Sequence, residues 1–251
     1  MMLKALPSLD AHAHIAPDIT YPQIAALGDS VVFAMTRSLT EAAQVEDLNN
    51  DTLIWGIGVH PGVAKAWEGW DQQRFKELLP SFALIGEVGL DRRGGDWMRQ
   101  RAIFEDILTI IRHEPVLVSL HSSGAASEVV DHLCSSKVRG AILHWFTGDE
   151  ADTRRALDAG CYFSVNAAMT LDQISFLPRD RVLSETDFPA RKTRARMPAD
   201  VERAELLLAK AWGVTRDEVR AKIWWNFRTL SEQTGAIERL PEGVVDRLLY
   251  L

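Results

Sequence analysis

Only two of the 251 residues are cysteine, Cys134 and Cys161, so no disulfide framework holds this chain, and neither has a second thiol at zinc-ribbon spacing. Both are expected to be small buried side chains. No run comes near the ~20 uninterrupted apolar residues that a membrane helix needs, and the opening MMLKALPSLDAHAH meets charged and polar residues too early for a secretory signal. Membrane association is therefore not expected, and the cytoplasm is the expected location. Positive charge is scarce as well. Lys and Arg number 28 against 35 Asp and Glu, a net charge of −7 that argues against broad attraction to polyanions. A nucleic-acid role then needs cations gathered locally. There is also no internal repeat, low-complexity tract or linker to mark a second domain.

What is present suits one large core. With 47% hydrophobic and 25% charged residues the composition sits at the globular average, which excludes disorder, and the length is that of a single α/β barrel. Short β-branched or aromatic runs alternate with longer stretches of helical period, the pattern of parallel strands joined by crossover helices. Eight strands are expected, near Ser8 to His14, Val31 to Met35, Leu53 to Val59, Ala83 to Val88, Val116 to His121, Ala141 to Trp145, Cys161 to Val165 and Arg181 to Glu185. The expected fold is α/β, a (β/α)8 TIM barrel forming one domain over residues 1–251. The clearest helix runs from Asp96 to His113, with Ile103, Ile107 and Ile110 on one face and Pro115 as its stop. After the eighth strand, Arg191 to Pro198 reads as a loop, followed by two or three helices. An open doubly wound sheet is the alternative, but no Gly-rich phosphate loop follows the first strand.

Position is the informative feature of the polar residues. His12 and His14 end strand one, Glu87 strand four, His121 strand five and His144 strand six, while Asp187 follows strand eight. In a barrel of this kind those ends share one mouth, so residues far apart in sequence meet in one pocket. His-x-His on a strand puts both imidazoles on one face, where they reach a single ion. A lone histidine at a strand end is more often a hydrogen-bonded structural residue than a ligand, but four with two carboxylates exceed what one tetrahedral catalytic ion takes. Two divalent ions bridged by a central glutamate are the economical expectation, with Zn, Mn or Mg as candidates. His60, in GVHPG at the end of strand three, is expected to support a ligand, touch substrate or be structural. His113, at a helix end, and His132, within a helix, are read as structural or surface residues.

Taken in order, LDAHAHI, GVHPG, IGEVGLD, LHSSG, ILHWFTG and SETDFP resemble the TatD family of metal-dependent deoxyribonucleases among the amidohydrolase-like barrels, and the similarity runs on to WWNFRTL. The resemblance implies a DNA exonuclease that cleaves phosphodiester bonds with a hydroxide activated by the ions. It puts His12, His14, Glu87 and Asp187 around one ion and Glu87, His121 and His144 on the other, with Asp187 as ligand and base or orienting group. Single-stranded DNA or double-stranded ends would be the substrate. The chain departs from the family at Ala16, where an acid is frequent, at Ser123, where Arg is usual, and at Phe188. Many relatives with other chemistry use a bridging lysine on strand four, whereas SFALIGEVGL has Glu87 and no lysine. Hydrolysis of small amides, esters or phosphoesters remains an alternative, as does a place in a multiprotein assembly such as an antiviral defence system. Trp67, Trp70, Trp97, Trp224 and Trp225 would supply anchors for protein partners in the latter. The cations that phosphate requires are expected in ARKTRAR, from Arg191, Lys192, Arg194 and Arg196, with Arg92 and Arg93 flanking them.

Overall fold

Period-two alternation in LDAHAH puts Leu9, Ala11 and Ala13 on one side of β1 (Leu9–His14) and Asp10, His12 and His14 on the other. Every one of these except His14 is buried, so the apolar side packs outward under the helices and the polar side fills the interior. The computed structural model describes residues 6–48 and 50–251. Seven further strands follow: β2 (Val31–Met35), β3 (Leu53–Ile57), β4 (Leu84–Gly89), β5 (Leu117–His121), β6 (Ala141–His144), β7 (Tyr162–Val165) and β8 (Val182–Ser184). All pair in parallel and in sequence order. A bridge between Ala13 and Phe188 brings β8 back to β1, with His14 N–H donating to the Phe188 carbonyl at 2.8 Å. The barrel is thereby nearly closed.

The crossovers carry α1 (Tyr21–Ala25), α2 (Leu39–Val45), α3 (Ala64–Glu68), α4 (Gln72–Leu78), α5 (Trp97–Ile111), α6 (Ala126–Ser136), α7 (Glu150–Asp158) and α8 (Leu171–Ser175). Three more, α9 (Glu202–Trp212), α10 (Arg216–Thr234) and α11 (Glu242–Leu249), follow β8. In α5 the Asp96 side chain accepts from Arg99 N–H and caps the first turn, as a short carboxylate at this position does. Its buried stripe is Ile103, Phe104, Ile107, Leu108 and Ile111, so the helix is turned slightly from the expected face and Ile110 lies at its edge. Helix α10 packs against the barrel at β8 and β1, and its Phe227 meets Phe33 of β2 edge to face at 5.2 Å between ring centres. Trp224 lies fully buried beside it, its indole N–H donating to the Pro7 carbonyl at 2.8 Å. Of the tryptophans expected as partner anchors, only Trp225 is exposed, and Arg228 covers its ring. The interior is tight enough that Phe227→Ala would cost about 3–5 kcal/mol.

Candidate metal centre

Close backbone contacts aim the central carboxylate. Glu87 N–H donates to the Thr36 carbonyl at 3.2 Å, and its own carbonyl accepts from Val59 N–H at 3.0 Å. A Cβ on Gly58 would stand 2.0 Å from the Thr36 carbonyl oxygen and 2.7 Å from the Glu87 nitrogen, so only glycine lets the chain leaving β3 settle here. On the opposite rim Asp187 adopts a left-handed φ of 48°, an uncommon conformation for a residue with a side chain. Two hydrogen bonds hold it, its N–H to the His12 carbonyl at 2.9 Å and its carbonyl from Ala190 N–H at 2.7 Å.

The two oxygens of Glu87 serve two groups of histidines. Oε2 stands 3.1 Å from His14 Nε2, 3.1 Å from His60 Nε2 and 3.6 Å from His12 Nε2. Oε1 contacts His144 Nε2 at 2.8 Å and His121 Nδ1 more closely still. Asp187 Oδ1 lies 3.8 Å from His12 Nε2. Three overlapping sets have ligand atoms close enough for one cation: His12, His14 and Asp187; His12, Glu87 and His144; and His14, His60 and Glu87. His12 Nε2 and Glu87 Oε2 are buried and make no hydrogen bond. Stranded donors and acceptors of this kind are costly in a protein interior unless something else satisfies them, and a cation does. Imidazole nitrogens mixed with carboxylate oxygens suit Zn, Mn or Fe.

What each ring does with its other nitrogen divides the histidines. His12 Nδ1 meets Ser119 Oγ at 2.7 Å, His121 Nε2 meets Asp91 Oδ2 at 3.0 Å, and His144 Nδ1 faces Glu185 Oε1 at 3.8 Å. His12 and His121 each have an oxygen within reach to receive a proton, which frees the opposite nitrogen to ligate, whereas His144 Nδ1 is buried and makes no hydrogen bond. His60 is different, because its Nδ1 accepts from Gly62 N–H at 2.9 Å and its proton therefore sits on Nε2. Glu185 is itself fixed by Ser164 Oγ, by Asn166 Nδ2 at 2.8 Å and by Trp145 N–H at 3.1 Å. Under the floor Asp10 accepts from Thr186 N–H at 2.8 Å, Thr186 Oγ1 at 2.6 Å and Ala199 N–H at 2.8 Å, which ties β1 to the residues carrying Asp187.

Without a cation, protons would have to balance this charge. Burial works against ionised Glu87, yet His60, His121 and His144 outweigh it and hold its carboxyl well below the usual range. Burial likewise opposes charge on His121 and His144, but Glu87 draws both above the ordinary imidazole value, His144 strongly. His12 is pushed well down by burial and by its neighbour His144. Burial raises Asp187 to about 6 and Asp10 to about 7. Such displaced carboxyls in a cleft mark functional sites.

All six expected ligands meet here, and His60 joins them. They open into a cavity of about 500 Å³ that Arg93, Ser123, Arg191 and Lys192 also line. Of the other expected phosphate contacts, Arg194 lines a neighbouring groove instead. Arg196 does not line the cavity and pairs with Asp200, four residues on, at 2.9 Å. Arg92 likewise pairs with Glu128 and lies over the Trp97 ring. His113 is exposed and His132 packs against Phe104, both outside the cavity. Asp10, Asp91, Ser119 and Glu185 were not expected among the site residues. Asp10 and Glu185 share strand-face parity with His12 and Asp187, which is the signal that would have found them.

The model of the family described as TatD related DNase matches residues 9–232. The 3'-5' ssDNA/RNA exonuclease TatD of Cronobacter turicensis is 31% identical over 146 residues, covering 53% of this chain and 56% of that protein. The protein of the same name from a Rahnella species is 29% identical and is covered over 62% of its length. The chain thus spans between half and two thirds of these relatives. An Escherichia coli protein described as an uncharacterized metal-dependent hydrolase, YcfH, is 27% identical over 78% of this chain and 81% of its own. Among solved structures, the TatD homolog YJJV of Escherichia coli aligns with a TM-score of 0.76 at 23% identity, over 89% of this chain and 97% of that one.

Proposed function

Because this chain belongs to the TatD related DNase family, we propose that it is a metal-dependent phosphodiesterase holding two divalent ions and that it shortens nucleic acid strands, DNA in the first instance. The observation that carries this reading is the division of Glu87, one oxygen toward His121 and His144 and the other toward His12, His14 and His60. That is the arrangement a bridging carboxylate needs. When bound, the ions supply Lewis-acid stabilisation of phosphoryl oxygens and a water made nucleophilic at neutral pH.

The protein's own groups do the rest. His12, His14 and Asp187 form the ligand set on one side of Glu87, with His121 and His144 on the other. Asp187, at the rim of the cavity beside His12, is placed to take a proton from an attacking water and pass it on. His60 presents an N–H to the cavity and donates to a phosphoryl oxygen. Arg191, Lys192 and Arg93 face the same space and hold the phosphate beside the scissile one. The names of the two exonuclease relatives bring the polarity to be tested, removal of nucleotides from the 3′ end.

The test is a digestion series with 5′- and 3′-labelled single- and double-stranded DNA, RNA and bis(p-nitrophenyl) phosphate, in Mn, Zn or Mg, beside elemental analysis of the protein. Stepwise loss from the 3′ end with two equivalents of metal at saturation is expected. No hydrolysis of any phosphodiester at saturating metal, or one equivalent of metal with full activity, would sink the proposal.

A further inference from the structure

The active-site cavity does not end at its own rim. A second groove of about 430 Å³ adjoins it, and Lys192 lines both. Four of the eight residues lining this groove, Lys192, Arg194, Arg203 and Lys210, are cations, and none is a carboxylate. In a chain of net charge −7 that concentration is against the general composition. Among the described residues none of the four is held in an ion pair, although most arginines on this surface are, Arg196, Arg216 and Arg220 among them. Asp200, the carboxylate that senses Arg203, is already engaged by Arg196.

The pattern on α9 explains the shape. Arg203, Leu206, Leu207 and Lys210 fall at i, i+3, i+4 and i+7, one stripe of the helix, while Ala204, Glu205, Leu208 and Trp212 form the buried stripe. The first stripe thus faces the groove with a cation at each end and leucines between, and Leu206 is 53% exposed. Seven residues of helix separate the two cations by about 10 Å, with the apolar surface of Leu206 and Leu207 between them for a base.

We propose that this groove is a track for a single-stranded nucleic acid, leading from the metal centre over Lys192 and Arg194 to Arg203 and Lys210 on α9. The proposal rests on the phosphodiesterase reading, because continuity through Lys192 is what favours a polynucleotide over another polyanion. It makes the enzyme selective for strands long enough to fill the track.

Fluorescence anisotropy of the metal-loaded protein tests it, with labelled single-stranded DNA of 4 and 16 nucleotides carrying phosphorothioate linkages that resist cleavage. Arg203→Ala with Lys210→Ala is the variant, and both substitutions keep good helix formers on an exposed face. Two lost phosphate contacts should weaken 16-mer binding roughly 10- to 30-fold near 0.1 M salt and flatten the log-log salt slope by about 1.4. Binding of the 4-mer and hydrolysis of bis(p-nitrophenyl) phosphate should not change. Arg74→Ala with Arg154→Ala removes the same charge far from the groove and should leave both affinities native. Native 16-mer affinity in the α9 variant, an equal loss on both lengths, or an equal loss in the control pair each overturns the track. Failure of the wild-type protein to hydrolyse any phosphodiester would instead overturn the catalytic reading, and the length dependence of binding would still decide the track.

Discussion

Replacing Glu87 by glutamine changes one atom and one charge at the point on which the whole site converges. The carboxylate is 1% exposed and lies within 3.6 Å of four histidine nitrogens and in still closer contact with a fifth, His121. Glutamine keeps the volume but turns an N–H2 toward one of the two histidine groups, where a donor meets donors or a cation. The Coulomb cost follows from distance: a unit charge removed about 4 Å from another is worth about 4 kcal/mol at an effective dielectric of 20, roughly three decades in affinity. Metal binding should therefore fall by at least ~100-fold, and because each oxygen serves one group, both equivalents should weaken together. Hydrolysis should drop by a similar factor or more. Titration with Mn followed by electron paramagnetic resonance or elemental analysis reads the first effect, and single-turnover digestion reads the second. Circular dichroism of the variant should match the wild type. Two equivalents bound with native affinity, or near-native turnover, would refute the bridging role.

Other outcomes follow from the same geometry. Asp187→Asn should lower hydrolysis by at least ~100-fold at saturating metal, whereas His113→Gln, outside the cavity, should be silent; near-native turnover in the first would remove Asp187 from the chemistry. Arg191→Ala with Lys192→Ala should weaken single-stranded DNA binding and lower the salt slope by up to about 1.4 without changing metal content; a native slope would show that the rim does not hold phosphate. Stability of the metal-free protein should fall as pH rises. Asp10 and Asp187 titrate in the fold near 7 and 6, above the ordinary 3.8, so the unfolded chain binds fewer protons across that interval. His121 and His144, raised, lose their contribution as pH climbs above their ordinary value, while His12, lowered, runs the other way; Glu87, also lowered, is ionised folded and unfolded over this range and loses its contribution only in acid. Melting temperatures after EDTA dialysis should therefore decline from about pH 5.5 to about 8, and a steady rise would show that His12 dominates.

The barrel and the gathering of the candidate ligands at one mouth were legible because both depend on short-range rules. Alternation in LDAHAH fixes which side chains point inward, and a parallel barrel collects strand ends whatever lies between them, so His12, Glu87, His121, His144 and Asp187 could be gathered from residues on five different strands or strand ends. Their supporting partners obey no such rule. Ser119 reaches His12 across the barrel interior, and Asp91 reaches His121 because the chain after β4 runs on beside the end of β5, Leu90 N–H donating to the His121 carbonyl and Arg92 N–H to the Ser123 carbonyl, where Gly89 lets the backbones touch. The basic loop shows the opposite limit. ARKTRAR reads as one patch, but Thr193 is buried and Arg194 adopts a left-handed φ of 57°, so successive cations leave the turn in different directions. Arg191 and Lys192 face the metal centre, Arg194 the groove beside α9, and Arg196 its own Asp200.

His60 differs from the other histidines of the candidate site in the partner of its second nitrogen. By distance alone it is the equal of His14, each with Nε2 at 3.1 Å from the same oxygen of Glu87. The difference lies on the far side of the ring, in the turn HPG. Gly62 N–H points at His60 Nδ1, and a Cβ on Gly62 would come within 3.0 Å of the imidazole, so glycine allows the backbone to approach and occupy that lone pair. Ligation through Nε2 would move the ring proton to Nδ1 and set it against the Gly62 N–H, two donors face to face. The turn thus keeps an N–H on Nε2 where His12 and His121, each backed by an oxygen, present a lone pair. Under the proposed phosphodiesterase reading, a site that binds cations and also grips the anion those cations attract needs both kinds of imidazole, and a backbone amide would separate them.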